Sequence, residues 1–225
     1  MKVTALIVAG GSGRRMGSDI NKVFLQLAGK TIIEHTVDVF LKTEEIDEIV
    51  IVTREEDILE CRRLFAEAPK PMKIVVGGKT RQESVYNGLK EISEGIVAIH
   101  DGARALINRE SIKESVLSCM GYGAAAVGVS CVDTLKKVDA EGFITETVDR
   151  EGVYRINTPQ TFNIRDILRA HQKAIEEGFE ATDDCALYER YIGRVKIVPG
   201  EATNIKITFP EDIMLAETIL KREEE

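Results

Sequence analysis

Short apolar runs alternate along most of this chain with longer segments whose apolar residues recur at helical spacing. The runs are rich in Val, Ile, Ala and Leu, as is usual for strands that are buried on both faces. They are Val3–Val8, Glu48–Thr53, Lys73–Val76, Ile96–His100 and Ala124–Val129. Alternating strands and helices are joined by right-handed crossovers. The pattern therefore predicts an α/β protein with a Rossmann-like, doubly wound, mostly parallel sheet.

The segments between these strands are predicted to be amphipathic helices. Ile33, Val37 and Phe40 share one helical face, and Thr31 with Glu34 three residues later forms a capping-box pattern at its start. Further helices, and one more strand near the C-terminus, have the same kinds of signal. The helices are Glu55–Ala68, Gln82–Ile92, Glu110–Met120, Ile164–Glu177, Asp183–Tyr191 and a last one from Pro210, and the strand is Val195–Val198.

The regular alternation stops after Val129. A turn signal at 139–142 separates two alternating runs, Thr134–Val138 and Phe143–Val148, in an otherwise polar stretch. Such a pattern predicts a β-hairpin. We therefore expect one domain over residues 1–225, with a protruding β-hairpin arm at about 131–150.

Charge, hydropathy and cysteine usage exclude several classes of protein. The formal net charge of −8 argues against a nucleic-acid-binding surface, because phosphate backbones favour clustered Lys and Arg. No apolar stretch approaches the ~20 residues of a membrane helix, so we expect a soluble, cytoplasmic protein that does not bind membranes. The cysteines are far apart and form no C-x-x-C pair, which favours reduced thiols. They are Cys61, Cys119, Cys131 and Cys185.

Glycine and charged residues follow four of the predicted strands at the point where each strand ends. Residues 9–17 follow the first strand, 77–84 the third and 100–104 the fourth, and Asp133 and Thr134 come after the fifth. Ligands of open parallel sheets bind beyond the carboxyl ends of the strands. The sequence therefore predicts one ligand site at this edge.

The loop at 9–17, here called the glycine loop, has the composition of a phosphate-binding segment. Its glycines allow backbone N–H groups to approach phosphate oxygens. It is one residue too long for the dinucleotide pattern G-x-G-x-x-G, and Gly-Lys-Thr at 78–80 lacks the earlier glycine of a P-loop. The loop and the cations Arg14, Arg15 and Lys22 instead indicate a site for a triphosphate.

These residues resemble the superfamily of sugar-nucleotide pyrophosphorylases and cytidylyltransferases, whose signature is similar to A-G-G-S-G-R-R-M-G followed by Asn21-Lys22. The closer resemblance is to the 2-C-methyl-D-erythritol 4-phosphate cytidylyltransferase family of the non-mevalonate isoprenoid pathway. Further matching stretches occur in the family's order over nearly the whole chain. They are 77–85, His100–Arg104, Asp133–Thr134, Thr147–Arg150, Thr158–Gln160, Thr182–Asp183 and 204–212.

The resemblance implies an enzyme that transfers CMP from CTP to 2-C-methyl-D-erythritol 4-phosphate, with Mg²⁺ or another divalent ion as cofactor. It implies that Arg15, Lys22 and Lys206 are catalytic, and that Asp101 binds the metal and the nucleotide. The other implied nucleotide-binding residues are Ala9, Gly10, Gly11, Gly13, Gly78, Arg81, Ser84 and Gly102. The implied acceptor-binding residues are Arg104, Thr134, Arg150 and Thr158.

The resemblance also implies a homodimer in which each hairpin arm contributes Thr134 and Arg150 to the partner's acceptor pocket. An isolated two-stranded ribbon is marginal in water, so packing against a second subunit would explain the arm.

The sequence leaves two other functions open. A cytidylyltransferase for another polyol phosphate, such as ribitol 5-phosphate, would have almost the same nucleotide half. A non-catalytic nucleotide-binding module is opposed by the presence together of Lys22, Asp101 and Lys206. No convincing Ser/His/Asp or Cys/His set is visible, and none is needed, because a phosphate monoester is largely dianionic near neutral pH.

Overall fold

A seven-stranded sheet lies at the centre of the protein in a computed structural model that describes residues 1–11 and 21–223. The strands along the chain are β1 (Val3–Val8), β2 (Gln26–Leu27), β3 (Lys30–Thr31), β4 (Glu48–Thr53), β5 (Met72–Val76), β6 (Ile96–Asp101), β7 (Ala124–Ser130), β8 (Leu135–Val138), β9 (Ile144–Val148), β10 (Tyr154–Asn163) and β11 (Lys196–Pro199). The order in the central sheet is β11-β7-β10-β6-β1-β4-β5. All neighbours are parallel except β10, which runs antiparallel to β6 and β7. The predicted mostly parallel α/β fold is confirmed.

The helices begin and end close to the positions that the sequence predicts. They are α1 (Ile32–Leu41), α2 (Ile58–Leu64), α3 (Arg81–Leu89), α4 (Arg109–Tyr122), α5 (Ile164–Glu177), α6 (Asp184–Tyr191) and α7 (Pro210–Glu223). The capping box is present, because Glu34 N–H donates to Thr31 Oγ1 and Thr31 N–H donates to Glu34 Oε2. Gly178 ends α5 with a left-handed φ of 62°. The helix predicted at 55–68 is shorter and follows a 3₁₀ turn.

Helices cover both faces of the sheet. Ala5 and Ile7 of β1 point to the side of α1, α2 and α4, whereas Leu6 points to the side of α3, α5 and α6. Each of these three side chains is fully buried. Alternate residues of one strand thus enter two separate cores, which explains why its sequence is a continuous apolar run.

Strand β10 is the strand of the central sheet that the sequence analysis missed, and the short pair β2 and β3 was not predicted either. The residues of β10 are mostly polar and include Pro159, which cannot donate a hydrogen bond to a neighbouring strand. The register between β10 and β7 shifts between Ile156 and Gln160, so the proline lies at an irregularity in the ladder. A polar strand with a proline is tolerated here because the pairing is already interrupted at that point.

The predicted hairpin arm is present as the antiparallel pair β8 and β9. It leaves the sheet after β7 and returns into β10, at the edge where the parallel strands β1 and β6 also end. Val138, Phe143 and Ile144 of the arm are each more than half exposed. No helix within the described residues is long and apolar enough to cross a membrane.

Candidate active site

A cleft of 320 Å³ opens where β1 and β6 end. Val8 pairs with Asp101 in the sheet, so the glycine loop and the Asp101 carboxylate start from adjacent strand ends. Gly102 N–H donates to Val8 O at 2.9 Å, and a Cβ at Gly102 would lie only 3.2 Å from that oxygen. The described residues lining the cleft are Val8, Ala9, Gly10, Gly11, Lys22, Val23, Gly78, Lys79, Thr80, Arg81, Ser84, Asp101, Ala103 and Lys206.

The described start of the glycine loop is held by a buried polar contact from Asn21. Asn21 is fully buried and donates from Nδ2 to Ala9 O at 2.6 Å and to Asp57 Oδ2 at 2.9 Å. Gly10 and Gly11 line the cleft, and their predicted contact with phosphate stays a prediction. Gly13, Arg14 and Arg15 lie outside the described residues, so their predicted roles stay predictions.

The second loop of the cleft is folded by Ser84. Its Oγ accepts a hydrogen bond from Gly78 N–H at 3.0 Å and donates to Thr80 O at 2.8 Å. A Cβ at Gly78 would overlap Glu83, so the loop requires glycine there. Thr80 begins α3 by accepting a hydrogen bond from Glu83 N–H. These contacts place the first turn of α3, with Arg81, at the cleft.

Three cationic side chains lie close to the carboxylate of Asp101. Arg81 Nε donates to Oδ1 at 3.2 Å and Lys206 Nζ donates to Oδ2 at 2.7 Å, while Arg104 Nε lies 3.8 Å from Oδ2. Burial alone would raise the pKa of the Asp101 carboxyl, but the charges of Arg81 and Lys206 hold it well below its usual range. Asp101 is therefore an ionised, largely buried group at the edge of the cleft.

The segment after Asn204 brings two predicted catalytic lysines together. Ile207 N–H donates to Ala103 O at 2.9 Å, which fixes this extended segment against the loop after β6. Lys22 Nζ donates to Ile207 O at 2.7 Å, one residue after Lys206. Both lysines line the same cleft, so the fold places two cations from distant parts of the chain side by side there.

Thr158 and Arg104, predicted to bind the acceptor, are mainly engaged with the protein. Thr158 Oγ1 accepts from Asp101 N–H at 3.1 Å and lies 2.9 Å from Nδ1 of the buried His100, whose Nε2 is 3.2 Å from Arg104 O. The Arg104 carbonyl can only accept a hydrogen bond, so we assign the ring hydrogen of His100 to Nε2. Nδ1 of His100 is then an acceptor, and the Thr158 hydroxyl donates to it. Arg104 Nη1 donates to Asn204 O at 2.8 Å. Neither side chain is among the cleft-lining residues.

Thr134 and Arg150 lie away from the cleft of their own subunit. Both are exposed near the base of the hairpin arm, where Arg150 Nη1 donates to Val132 O. Their predicted contribution to an acceptor pocket therefore stays a prediction that involves a second subunit.

Three buried residues behind the cleft were not singled out from the sequence. Asp184 accepts a hydrogen bond from Arg81 Nη1 at 2.8 Å, and Oδ1 of Asp184 is 3.1 Å from His171 Nε2. Gln160 Oε1 accepts from Asp184 N–H at 3.0 Å. The sequence signals were two matching stretches: Thr158–Gln160, which ends on Gln160, and Thr182–Asp183, whose second residue caps α6 next to Asp184.

A glycine loop, a buried carboxylate and converging cations at the carboxyl edge of a Rossmann-like sheet define a protein of the nucleotidyltransferase class. The family model described as "IspD: 2-C-methyl-D-erythritol 4-phosphate cytidylyltransferase" matches residues 3–222. The chain belongs to this family, which confirms the resemblance seen in the sequence.

Similar proteins and structures agree with this assignment. A protein of Caldanaerobacter subterraneus with that enzyme name is 46% identical over 227 residues, covering 99% of this chain and 100% of its own length. A protein of Geotalea uraniireducens with the same name is 45% identical, covering 98% and 97%. The crystal structure of 4-diphosphocytidyl-2C-methyl-D-erythritol synthase from Anaerococcus prevotii has a TM-score of 0.88 at 32% identity, covering 98% and 96%. That of the cytidylyltransferase from Thermus thermophilus has a TM-score of 0.80 at 32% identity, covering 98% and 100%.

Proposed function

We propose that this protein transfers CMP from CTP to 2-C-methyl-D-erythritol 4-phosphate and releases pyrophosphate, as a step of non-mevalonate isoprenoid precursor synthesis. Family membership over residues 3–222 supports this reaction. The structural observation that carries it is the ionised Asp101 carboxylate, joined to Arg81 and Lys206 at the mouth of the cleft.

The reaction needs charge neutralisation more than acid–base chemistry. The acceptor phosphate is largely dianionic near neutral pH, so its oxygen attacks the α-phosphorus of CTP as the bond to the β-phosphate breaks. In this proposal Lys22 and Lys206 stabilise the charge that develops on the transferred phosphoryl group, together with Arg15. Both nitrogens of His100 are engaged with protein oxygens, which is consistent with a structural role and not with that of a base.

We propose Mg²⁺ as the cofactor, with Asp101 as its protein ligand. Magnesium is commonly bound by one or two carboxylates together with substrate phosphates and water, so a single carboxylate beside a polyphosphate cleft fits it. Among residues 1–11 and 21–223, no cluster of three or more His, Cys, Asp or Glu side chains could form an all-protein metal site. When bound, the ion would neutralise charge on the phosphates of CTP. Asp101 would then exchange a contact with Arg81 or Lys206 for the ion.

We also propose that the working enzyme is a homodimer whose arms complete the acceptor pockets. Val132, Phe143 and Ile144 on the arm are exposed at 72%, 67% and 64%, which supports burial against another surface. Thr134 and Arg150 lie on the same arm without reaching their own cleft. An arginine fork there is suited to the phosphate of the acceptor.

We place the protein in the cytoplasm. The support comes from its four cysteines, which are all buried, free thiols. Burial raises the pKa of Cys61 to about 11 and that of Cys119 to about 12, so these thiols are unreactive near neutral pH.

The test is pyrophosphate release measured over four nucleoside triphosphates and several polyol phosphates, with and without Mg²⁺. We expect turnover with CTP and methylerythritol phosphate only in the presence of a divalent ion. Faster turnover with ribitol 5-phosphate would instead favour a cytidylyltransferase for that acceptor. No pyrophosphate release with any pair would favour a non-catalytic nucleotide-binding module.

A further inference from the structure

A carboxylate with almost no access to solvent lies behind the cleft-lining Arg81. Asp184, the first residue of α6, is 1% exposed, and its Oδ2 accepts a hydrogen bond from Arg81 Nη1 at 2.8 Å. Its Oδ1 accepts one from Nε2 of His171, which is fully buried on α5. Asp184 is not among the described residues that line the cleft, and Arg81 is its hydrogen-bond partner there.

The position of this carboxylate is set by the central sheet. Gln160 of β10 accepts hydrogen bonds at Oε1 from the N–H groups of Asp184 and Cys185, at 3.0 and 3.2 Å. Its Nε2 donates to Oδ2 of Asp183 at 2.9 Å. One glutamine side chain therefore ties the first turn of α6 to a strand at the centre of the fold.

Arg81 bridges the buried carboxylate and the one at the cleft. Its Nε donates to Asp101 and its Nη1 to Asp184, so the planar guanidinium is fixed at two points. Burial disfavours its charge, but the two carboxylates together raise the pKa of Arg81 above its ordinary value. Arg81 lines the cleft, and its Nη2 makes no hydrogen bond to any described residue, so Nη2 keeps two donors for a ligand.

We propose that Asp184 is a positioning residue for nucleotide binding: held by His171 and Gln160, it fixes the Arg81 guanidinium so that its free Nη2 hydrogens face the bound nucleotide. This inference rests on the proposed function, because it takes the ligand of the cleft to be CTP. Asp184 also supplies a second counter-charge for Arg81, so the Asp101 carboxylate does not have to balance that cation alone.

The test is a double-mutant cycle with Asp184→Asn and Arg81→Gln, with the Kd for CTP measured by calorimetry. The asparagine amide has one acceptor oxygen where the carboxylate of Asp184 has two, so it cannot accept from Arg81 and His171 at separate oxygens. The charge-assisted hydrogen bond from Arg81 is therefore lost or weakened. We expect Asp184→Asn alone to raise the Kd for CTP about 10-fold. In the Arg81→Gln background, Asp184→Asn should change the Kd for CTP by less than about 2-fold, because Asp184 acts through Arg81.

Steady-state kinetics supply a second readout and a matched control. The KM for CTP should rise in Asp184→Asn while the KM for the acceptor stays unchanged. Glu189→Gln removes an exposed carboxylate from the same helix α6, with no hydrogen bond to Arg81 or Gln160, and should leave both KM values unchanged. If Asp184→Asn does not fold, Asp184→Glu takes its place in the cycle, since it displaces the carboxylate by one methylene group.

Two results would overturn the positioning role. One is a Kd for CTP in Asp184→Asn equal to that of the wild type. The other is an equal loss of affinity in both backgrounds, which would indicate a general structural effect. The proposed function fails separately, if the wild-type protein binds CTP but releases no pyrophosphate with any acceptor. The double-mutant cycle would still test the positioning role in that case, because it measures only the affinity for CTP.

Discussion

Lys206 Nζ donates a hydrogen bond of 2.7 Å to Oδ2 of Asp101, although the two residues are 105 positions apart in the chain. Arg81, 20 positions before Asp101, donates to the other oxygen of the same carboxylate. Asp101 thus joins three chain segments: the end of β6, the start of α3 and the extended segment before α7. Its charge is needed for this arrangement, because the cations around it would otherwise repel one another.

We expect Asp101→Asn to fold and to lose activity by a factor on the order of 100 or more. The amide is a poor ligand for Mg²⁺ and no longer balances Arg81 and Lys206. Pyrophosphate release at saturating Mg²⁺ measures the loss, and circular dichroism checks the fold. Glu176→Gln, which removes an exposed carboxylate from α5, is the control and should be fully active. Near-normal turnover of Asp101→Asn would show that Asp101 has only a structural role.

Lys22→Ala should lower kcat and kcat/KM together. Lys22 lines the cleft beside the segment that carries Lys206, and in the proposed function its charge acts mainly on the transition state. Lys42→Ala, at the exposed end of α1, is the matched control. If Lys22→Ala raised only the KM for CTP, Lys22 would be an anchor for the ground state instead.

The stability of the protein should fall as the pH drops from about 6.5 toward 4, in part because of His100. Burial lowers the pKa of His100 to about 4, below the ~6.5 expected in the unfolded chain, so the unfolded chain binds the proton more readily. The contribution of neutral His100 to the free energy of unfolding is complete above pH ~6.5. It is lost as the pH falls through the pKa that His100 has in the folded protein. This contribution of His100 is at most about 3 kcal/mol.

Urea unfolding at several pH values measures this slope. His100→Gln has no imidazole to protonate, so its free energy of unfolding should depend less on pH over this window. If the free energy of unfolding changed equally with pH in His100→Gln and in the wild type, His100 would not be a cause of the pH dependence.

Gly88→Ala should destabilise the protein by about 1–3 kcal/mol. A methyl group at Gly88 would overlap Leu6 and lie 2.6 Å from Val52 Cγ2, where α3 packs on the sheet. Gly121→Ala in α4 is the control, because a Cβ there has no atom within 4 Å. That change should stabilise by up to about 1 kcal/mol. Thermal unfolding measures both, and equal effects would show that Gly88 is not a close-packing position.

Mixed dimers test the shared acceptor pocket. Asp101→Asn and Arg150→Ala protomers should each be inactive alone and should regain activity when mixed, because one of the two sites then has both residues. Mixing two Asp101→Asn preparations is the control. Sedimentation that shows a monomer at working concentration, or verified mixed dimers without regained activity, would contradict the shared site.

The local elements were predictable because their signals are local. The capping box of Thr31 and Glu34, the left-handed Gly178 and the apolar strands all depend on neighbours within a few residues. Strand β10 was not predictable in this way. Its polar residues and Pro159 become a central strand only because β6 and β7 lie on either side of it and the ladder shifts register there.

By itself, the sequence determined the α/β fold, the hairpin arm, the edge at which the glycine loop and Asp101 meet, and membership of the cytidylyltransferase family. Only the tertiary structure decided which side chains touch. Lys22 reaches the carbonyl of Ile207, Lys206 reaches Asp101, and Arg81 reaches Asp184. These partners lie on segments that meet only when the chain folds around the central sheet, and a short-range sequence pattern contains no term for contacts between residues a hundred or more positions apart.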